Sequence, residues 1–176
     1  MCIRDSSTTS YTGTFNGQGD TINGLTINRP SANFVGLFGE TNSQATIENV
    51  GVTNVQVSGF NFVGGLVGEN GGTVETSYDT GAVSGSNSGE IGGLVGYNFG
   101  TVETSYATAT VTGGITSAYV GGLVGLNAPS STVANSYATG AVTAGSGSFG
   151  IGGLVGGNNS TSTVVNSCLL YTSRCV

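Results

Sequence analysis

The chain alternates short apolar triplets with polar turns, and this alternation repeats along almost its whole length. The pentapeptide Gly-Gly-Leu-Val-Gly starts at positions 64, 92, 121 and 152, and a variant, Val-Gly-Leu-Phe-Gly, starts at position 35. The steps between these positions are 29, 28, 29 and 31 residues. The apolar runs are short, rich in β-branched residues and bounded by Gly, Asn or Ser, and no window has the apolar spacing of a helix. The pattern predicts strands throughout.

Two further elements follow the pentapeptide in each repeat. One begins Thr-Val and ends in Ser-Tyr, at 73–78, 101–106 and 132–137, with a copy lacking the Tyr at 163–167. The other is a short apolar segment, at 55–57, 81–83, 109–111 and 140–142. No connection is long enough for a crossover helix, so equivalent strands must stack directly on one another. We predict an all-β fold, a parallel β-helix of about five coils with 28–31 residues per repeat and three short strands per coil.

Stacked coils lie about 4.8 Å apart, so equivalent residues should form columns. The predicted core columns are Leu37, Leu66, Leu94, Leu123 and Leu154; Ile47, Val74, Val102, Val133 and Val164; and Tyr78, Tyr106 and Tyr137. The Asn that follows each pentapeptide is expected either to adopt a positive φ in a turn or to bridge coils through its amide. The paired glycines are expected to allow a sharp bend or a close backbone approach.

The two terminal segments do not follow the repeat. Residues 1–6 read as the translation of the transposase end used in tagmentation sequencing libraries, and residues 168–176 read as the same adapter in its two orientations. Cys168 stands where the repeat has Tyr. We therefore expect 1–6 and 168–176 to be adapter-derived and the remainder to be a fragment of a longer chain, and we leave both segments out of the fold argument.

The repeat resembles the GLUG motif, in which Gly-Gly-Leu-Val-Gly precedes a polar turn and a Thr-Val-x-Asn-Ser-Tyr element. On this basis residues 7–34 form a partial N-terminal coil and 35–167 the repeats, divided as 35–63, 64–91, 92–120, 121–151 and an incomplete 152–167. The resemblance implies a β-helical segment of a large bacterial surface or secreted protein, either an adhesin or an IgA-specific metallopeptidase. The resemblance also implies that such a protease holds its zinc and its HExxH helix in a separate domain. This chain has no His, so it cannot contain that site.

Composition narrows the possible functions. The formal net charge is −6, charged residues make up 7% of the chain, and His and Lys are absent. A basic patch for nucleic acid cannot be assembled, and the usual general base and Schiff-base nucleophile are missing. No membrane span is predicted in this fragment. We therefore expect a non-catalytic segment of an extracellular or cell-surface protein, without cofactor, that acts as a stalk or binding surface in adhesion. The alternative is a spacer in a secreted protease or glycan-active enzyme whose catalytic domain lies elsewhere.

Three candidate functional sites can still be considered: a catalytic carboxylate pair, a calcium site and an ice-binding face. Glu75 and Glu103 occupy equivalent positions on consecutive coils, which could bring their carboxylates to the roughly 5 Å separation of a retaining glycosidase pair. Repetition alone produces that pair, so we expect these side chains to point to solvent. Asp79, Asn87 and Glu90 could supply oxygen ligands for calcium, but their spacing matches neither an EF-hand nor the Gly-Gly-x-Gly-x-Asp nonapeptide, and the alternative is a solvated loop. Thr108, Thr110 and Thr112 leave an ice-binding face open as a third interpretation.

Repeat length varies mainly in the segments 58–62, 84–90, 112–119 and 143–150. Insertions in solenoids collect on one face, which is often the binding face. Aromatic residues in these segments are candidates for contact with a host or environmental glycan or protein: Phe60, Phe62, Tyr119 and Phe149. The competing interpretation is that these rings cap the core beside their loops.

Overall fold

A computed structural model describes residues 9–86 and 89–169, and this part of the chain consists of strands, turns and bends without a helix. All strand pairs are parallel, and the chain winds through four sheets in every coil. The predicted all-β parallel solenoid of about five coils is confirmed. The predicted adapter segment 1–6, most of the segment 168–176, and Asn87 lie outside the described residues.

Two sheets of five strands flank the glycine pentapeptide. Sheet 1 precedes it and contains β4 (Asn33–Val35), β8 (Asn61–Val63), β12 (Glu90–Gly92), β17 (Tyr119–Gly121) and β22 (Ile151–Gly152). Sheet 2 follows it and contains β5 (Phe38–Thr41), β9 (Val67–Asn70), β13 (Val95–Asn98), β18 (Val124–Asn127) and β23 (Val155–Asn158). Both sheets keep strict register, so that Asn70, Asn98 and Asn127 lie directly above one another.

The other two sheets complete each coil. Sheet 3 contains β1 (Thr14–Asn16), β6 (Thr46–Glu48), β10 (Thr73–Glu75), β14 (Thr101–Glu103), β19 (Thr132–Ala134) and β24 (Thr163–Val165). Sheet 4 contains β2 (Thr21–Asn23), β3 (Thr26–Asn28), β7 (Gly51–Gly59), β11 (Tyr78–Gly85), β15 (Tyr106–Ala107), β16 (Thr110–Thr112), β20 (Tyr137–Ala138), β21 (Val142–Thr143) and β25 (Cys168–Leu169). The connections from sheet 4 to sheet 1 differ most in length, as the repeat spacing predicts.

The prediction of three strands per coil is wrong, because each coil contributes strands to four different sheets. The pentapeptide does not form one strand: its last two residues belong to the strand of sheet 2, as Val67 and Gly68 do in β9, and from β12 onward its first Gly ends the strand of sheet 1. A Cβ on Gly64 would lie only 2.2 Å from the Val67 carbonyl oxygen of the same coil and 2.6 Å from the Leu94 carbonyl oxygen of the next. Only glycine allows this approach, so the predicted role of the paired glycines is confirmed while the strand count is not.

The corner between sheets 3 and 4 places a non-glycine residue in the left-handed region in every coil. The residues are Asn49, Thr76, Thr104, Asn135 and Asn166, with φ between 49 and 53° except for Thr76 at 47°. This conformation breaks the simple alternation of inward and outward side chains. Tyr78, Tyr106 and Tyr137 therefore face outward and are half-buried, and their inclusion in the core prediction is wrong. The inward position belongs to the residue after each Tyr.

The interior contains the predicted Leu and Val columns except in the last described coil, where Leu154 is half-buried and Val164 is 38% exposed. Leu66, Leu94 and Leu123 are fully buried, as are Ile47, Val74, Val102 and Val133. Val52, Val63, Val67, Val120 and Val124 complete the apolar interior from the other sheets. Each residue packs against its equivalents above and below, so the burial of one side chain requires the presence of its neighbours in adjacent coils.

Candidate functional site

The outer faces of sheets 1 and 2 meet at a narrow edge because glycines bring the two sheets unusually close. A Cβ on Gly96 would lie 2.5 Å from the Val63 backbone nitrogen, and one on Gly68 would lie 2.7 Å from the Val35 backbone nitrogen. We call the half-buried side chains that cover this edge the aromatic edge. Its members are Phe34, Phe62, Glu90 and Tyr119 from sheet 1, and Glu40, Glu69, Tyr97 and Leu126 from sheet 2.

Rings stack across three coils of the aromatic edge. The Phe34 and Phe62 ring centroids are 5.1 Å apart with an interplanar angle of 28°, and those of Phe62 and Tyr97 are 5.2 Å apart at 12°. Phe99, which is 46% exposed, tilts against Tyr97 at 4.3 Å and 55°. Such pairs contribute about 0.5–1.5 kcal/mol beyond area burial, so this surface is a fixed arrangement of rings rather than a set of independent side chains.

Two of these rings stand on unusual backbone. Phe34 has a φ of 55° and Phe62 a φ of 52°. A bulky residue in the left-handed region costs on the order of 1–3 kcal/mol and is retained only where the surrounding structure enforces it. The conformation turns both rings toward the surface at the ends of their coils.

Three carboxyl groups lie among the rings. Glu40 and Glu69 are paired in register on adjacent strands of sheet 2, and Glu90 begins a strand of sheet 1. Burial, with the charges of Glu40 and Glu90, raises the pKa of Glu69 to about 7. Burial also raises the pKa of Glu90, and burial with the Glu90 and Glu69 charges raises the pKa of Tyr97. The aromatic edge is therefore acidic as well as apolar.

The four aromatic residues predicted from the sequence all lie at or beside this edge, but they do not form one cluster. Phe62 belongs to the stacked rings, and Tyr119 pairs with Phe149 at 5.7 Å and 80°. Phe60 is 38% exposed and Phe149 61% exposed. The interpretation in which these loop rings tuck into the core does not hold for those two.

Sequence reasoning missed Phe34, Tyr97 and Phe99. The variant pentapeptide has one glycine fewer than the others, and Val35 pairs with Val63, so Phe34 corresponds to Phe62 rather than to an inward valine. Tyr97 and Phe99 stand in the segment that the sequence assigned to a polar turn. Simple alternation from the inward Val95 would place Tyr97 inward as well, so its outward position follows only from the register, which aligns it with the half-buried Glu69 and Leu126.

The predicted carboxylate pair is part of a longer row. Glu75 and Glu103, which the sequence predicted to face solvent, lie with Glu48 in register on the outer face of sheet 3, and all three are half-buried. Hydrogen bonding to the Glu48 carboxyl raises the pKa of Glu75, and burial and the Glu103 charge add to this rise. Ala134 takes the next position and ends the row.

Of the predicted calcium ligands, Asp79 and Glu90 do not come together, and Asn87 lies outside the described residues. Asp79 is fully buried in the interior, whereas Glu90 is half-exposed on the aromatic edge. Over residues 9–86 and 89–169, no group of three or more His, Cys, Asp and Glu residues is arranged to hold a metal ion. Burial raises the pKa of Asp79 well above its usual range. Both of its carboxyl oxygens lack a hydrogen-bond partner within the described chain.

A Tyr column with a shallow groove lies beside the corner between sheets 3 and 4. Tyr78 and Tyr106 stack at 4.7 Å and 3°, and Tyr106 and Tyr137 at 4.9 Å and 4°. The groove encloses about 290 Å³ and is lined by Gly19, Asn49, Val50, Gly51, Thr76, Tyr78, Thr104 and Tyr106. Ring faces cover one another along the column, which leaves mainly ring edges and hydroxyls at the surface. The column is thus a regular surface that repeats, unlike the aromatic edge.

Comparison with known proteins finds a matching repeat motif, a similar protein and a similar solved structure. The GLUG motif matches residues 87–112 and 116–143. Halomucin of Haloquadratum walsbyi is 44% identical over 78 residues, which is 44% of this chain and 1% of that protein. A crystal structure from Bacteroides ovatus, named a "putative immunoglobulin A1 protease", is similar in fold with a TM-score of 0.61 at 19% identity.

That alignment covers 92% of this chain and 63% of the Bacteroides ovatus chain, so the present chain spans only part of either relative. In the part of the chain that the structure describes, no helix is long and apolar enough to cross a membrane. The matching motif, the strict coil register and the shared architecture agree: two repeats of this chain match the GLUG motif, and the described residues fold as a parallel β-solenoid.

Proposed function

We propose that the chain is a non-catalytic repeat segment of a surface or secreted protein, in which the solenoid acts as a stalk and the aromatic edge contacts a partner in adhesion. One observation supports this most directly. The interior columns repeat the same residue types from coil to coil, whereas the aromatic edge presents Phe, Phe, Glu and Tyr in turn on sheet 1. A surface that distinguishes partners needs such variation, and exposed rings are typical of contact surfaces.

The relatives support the same setting. Halomucin carries a name that indicates a mucin-like protein, and its similar segment occupies a very small part of its length. The protease name of the Bacteroides ovatus relative supports the alternative, in which the solenoid is a spacer beside a catalytic domain of a secreted enzyme. The acidic composition and the lack of His favour a role other than catalysis for the residues of this chain.

The experiment is an adhesion assay with the purified protein coupled to beads and tested on immobilised glycans, mucins and cell-surface proteins. A variant in which Phe60, Phe62, Tyr119 and Phe149 are each replaced by Ser should lose most of the binding. The matched control replaces Tyr78, Tyr106 and Tyr137 by Ser, which removes rings from the other surface, and should bind as the unmodified protein does. If the first variant bound as strongly as the unmodified protein, this result would contradict a contact role for the aromatic edge and for the exposed rings of Phe60 and Phe149 beside it.

The spacer alternative and a self-standing enzyme predict different results when binding and turnover are both measured on the same immobilised surfaces. A spacer would give no binding to any surface even before mutation. An enzyme would turn over a polysaccharide, and the Glu75→Gln and Glu103→Gln variants would lose that turnover. Turnover that these two substitutions abolish would overturn the non-catalytic proposal.

A further inference from the structure

The charge on the aromatic edge lacks a counter-charge within the described chain. Arg29 is the one basic residue among residues 9–86 and 89–169, and it follows β3 of sheet 4 rather than joining the edge. Glu69 is faced by Glu40, Glu90 and Tyr97, and all of these are acidic or neutral groups. A half-buried carboxylate among like charges is stabilised when an opposite charge approaches. The edge is therefore complementary to a cation that it does not itself supply.

The rings next to these carboxylates suit a particular kind of cation. Lys and Arg side chains place an apolar stem on hydrophobic surface while the charged end reaches a carboxylate. The Phe62 and Tyr97 stack supplies the apolar surface, and the two carboxylates that act on Tyr97 flank it. A simple metal ion would gain nothing from the rings.

The edge is longer than one amine. Glu40, Glu69 and Glu90 lie on three successive coils, which step by about 4.8 Å each. Stacked rings extend over the same coils, from Phe34 to Tyr97. A partner that uses the whole surface must carry several cations and hydrophobic stems in a row.

We propose that the aromatic edge binds a lysine- or arginine-rich segment of a partner protein. This inference rests on the proposed contact function and specifies its partner. Stems of the basic side chains lie on the stacked rings, and their charged ends reach Glu40, Glu69 and Glu90. Anionic glycans are repelled by the same carboxylates.

The solenoid contains its own control for this proposal. The row Glu48, Glu75 and Glu103 also places three carboxylates on successive coils, but Thr residues flank it on sheet 3. Replacing either set of three Glu by Gln changes the net charge by the same amount. Attraction that depends only on overall charge would respond equally to both changes, whereas a specific edge would respond to one.

The probe is a fluorescein-labelled decapeptide of alternating lysine and serine, with a glutamate–serine peptide as the charge-reversed control. Binding is measured by fluorescence anisotropy at about 0.15 M salt, where long-range attraction is screened beyond about 8 Å. The variant with Glu40, Glu69 and Glu90 changed to Gln should bind the lysine peptide at least tenfold more weakly. The variant with the sheet 3 row changed to Gln should stay within about twofold of the unmodified protein.

Two further measurements test the stem contact and the charge separately. Phe62→Ser with Tyr97→Ser keeps every carboxylate and should still weaken binding severalfold. Raising the pH from 6 to 8 should strengthen binding, because Glu69 ionises with a pKa of about 7, and Glu69→Gln should reduce this dependence to the part contributed by Glu90, whose pKa burial also raises. Circular dichroism of each variant separates lost binding from lost folding.

Equal weakening by the two triple variants, or no binding of the lysine peptide by the unmodified protein, would overturn the inference. The contact function can survive that result. If the beads of the adhesion assay still bind neutral glycans through the edge while the peptide does not bind, the surface has a different partner. If neither binds, both proposals fail.

Discussion

Two kinds of buried polar group lie inside this solenoid, and they differ in how they meet their hydrogen-bonding needs. Asn70, Asn98 and Asn127 are fully buried, and each side-chain amide donates to the Oδ1 of the Asn in the next coil at 2.8–2.9 Å. Asp79 is equally buried, yet neither of its carboxyl oxygens has a partner within the described residues. Equally buried polar groups thus have hydrogen-bond partners in the Asn column and lack them at Asp79.

Repetition explains the difference. Every coil that adds an Asn also provides an acceptor for the side-chain amide of the Asn in the preceding coil, so each buried amide has a partner. Asp79 occurs once, at a position where Val52, Ala107 and Ala138 stand in the other coils. Its neighbours therefore provide only apolar groups and backbone. A buried polar residue is well tolerated in a solenoid when it recurs and poorly tolerated when it does not.

The largest expected effect comes from interrupting the Asn column. Asn98→Leu removes the bonds to Asn70 and Asn127 and those to the Gly100 and Thr132 carbonyl oxygens, and leaves buried groups unpaired. We expect a loss of about 3–5 kcal/mol in the free energy of unfolding, because each unpaired buried group costs about 1–3 kcal/mol. Denaturant titration followed by circular dichroism measures it. The exposed Asn159→Leu serves as control and should change stability by less than about 0.5 kcal/mol. A loss below about 1 kcal/mol for Asn98→Leu would show that the column contributes little.

The opposite sign is expected at Asp79. Asp79→Ala gives this coil the residue found in the next two coils and should raise the free energy of unfolding at pH 7 by about 1–3 kcal/mol. The reciprocal change, Ala107→Asp, places the same group one coil later and should be destabilising. Stabilisation by both changes, or by neither, would contradict the comparison.

The gain at Asp79 should depend on pH. Its folded-state pKa lies well above that of the unfolded chain, about 3.9, so the unfolded state binds fewer protons between the two values. In the unmodified protein, the stability contributed by protonation of Asp79 is therefore fully present below about pH 4. It is lost progressively as pH rises toward the folded-state pKa. Melting temperatures from pH 4 to 8 should therefore converge for Asp79→Ala and the unmodified protein at the acidic end and diverge at the alkaline end.

The smallest expected effect belongs to the Ser column at the corner between sheets 3 and 4. The Ser105 hydroxyl donates to the Glu103 carbonyl oxygen at 2.7 Å and accepts from the Ser77 backbone nitrogen at 3.1 Å. Ser105→Ala should cost about 1 kcal/mol, since it removes one short side chain with two partners. Urea titration of this variant beside Asn98→Leu would rank the two columns. A larger loss at Ser105 than at Asn98 would contradict the expectation that the Asn column contributes more.

The sequence predicted the features that depend on repetition alone. Leu94 and Val102 recur at fixed spacing, so their burial followed from the repeat. Of the two roles predicted for Asn98, a positive φ in a turn or a bridge between coils, the structure shows the bridge. The inward position of Asp79 did not follow, because the left-handed Thr76 changes the parity of the strand that comes after it. Aligning Tyr78-Asp79 with Tyr106-Ala107 would have shown the substitution but not which of the two residues faces inward.

The candidate site was predicted in part for a related reason. Phe62 and Tyr119 stand beside the pentapeptide, where variable length pointed to a binding face. Tyr97 was hidden in an apparent turn, since the sequence did not reveal that the pentapeptide divides into two strands. The stacking of Tyr97 on Phe62 joins strands of different sheets and coils, and such contacts require the three-dimensional register.

The stacking of coils in parallel register also determines how this molecule yields to force. A coil occupies about 4.8 Å along the stack, but the roughly 28 residues it contains span about 95 Å when pulled straight. Tension applied to the two ends detaches the outermost coil first, because inner coils are held from both sides. Extension therefore proceeds in discrete lengths of chain, each one absorbing work while the remaining coils stay intact. A stalk built in this way lengthens about twentyfold per coil before it breaks, and it can recoil by winding each length back onto the end of the stack.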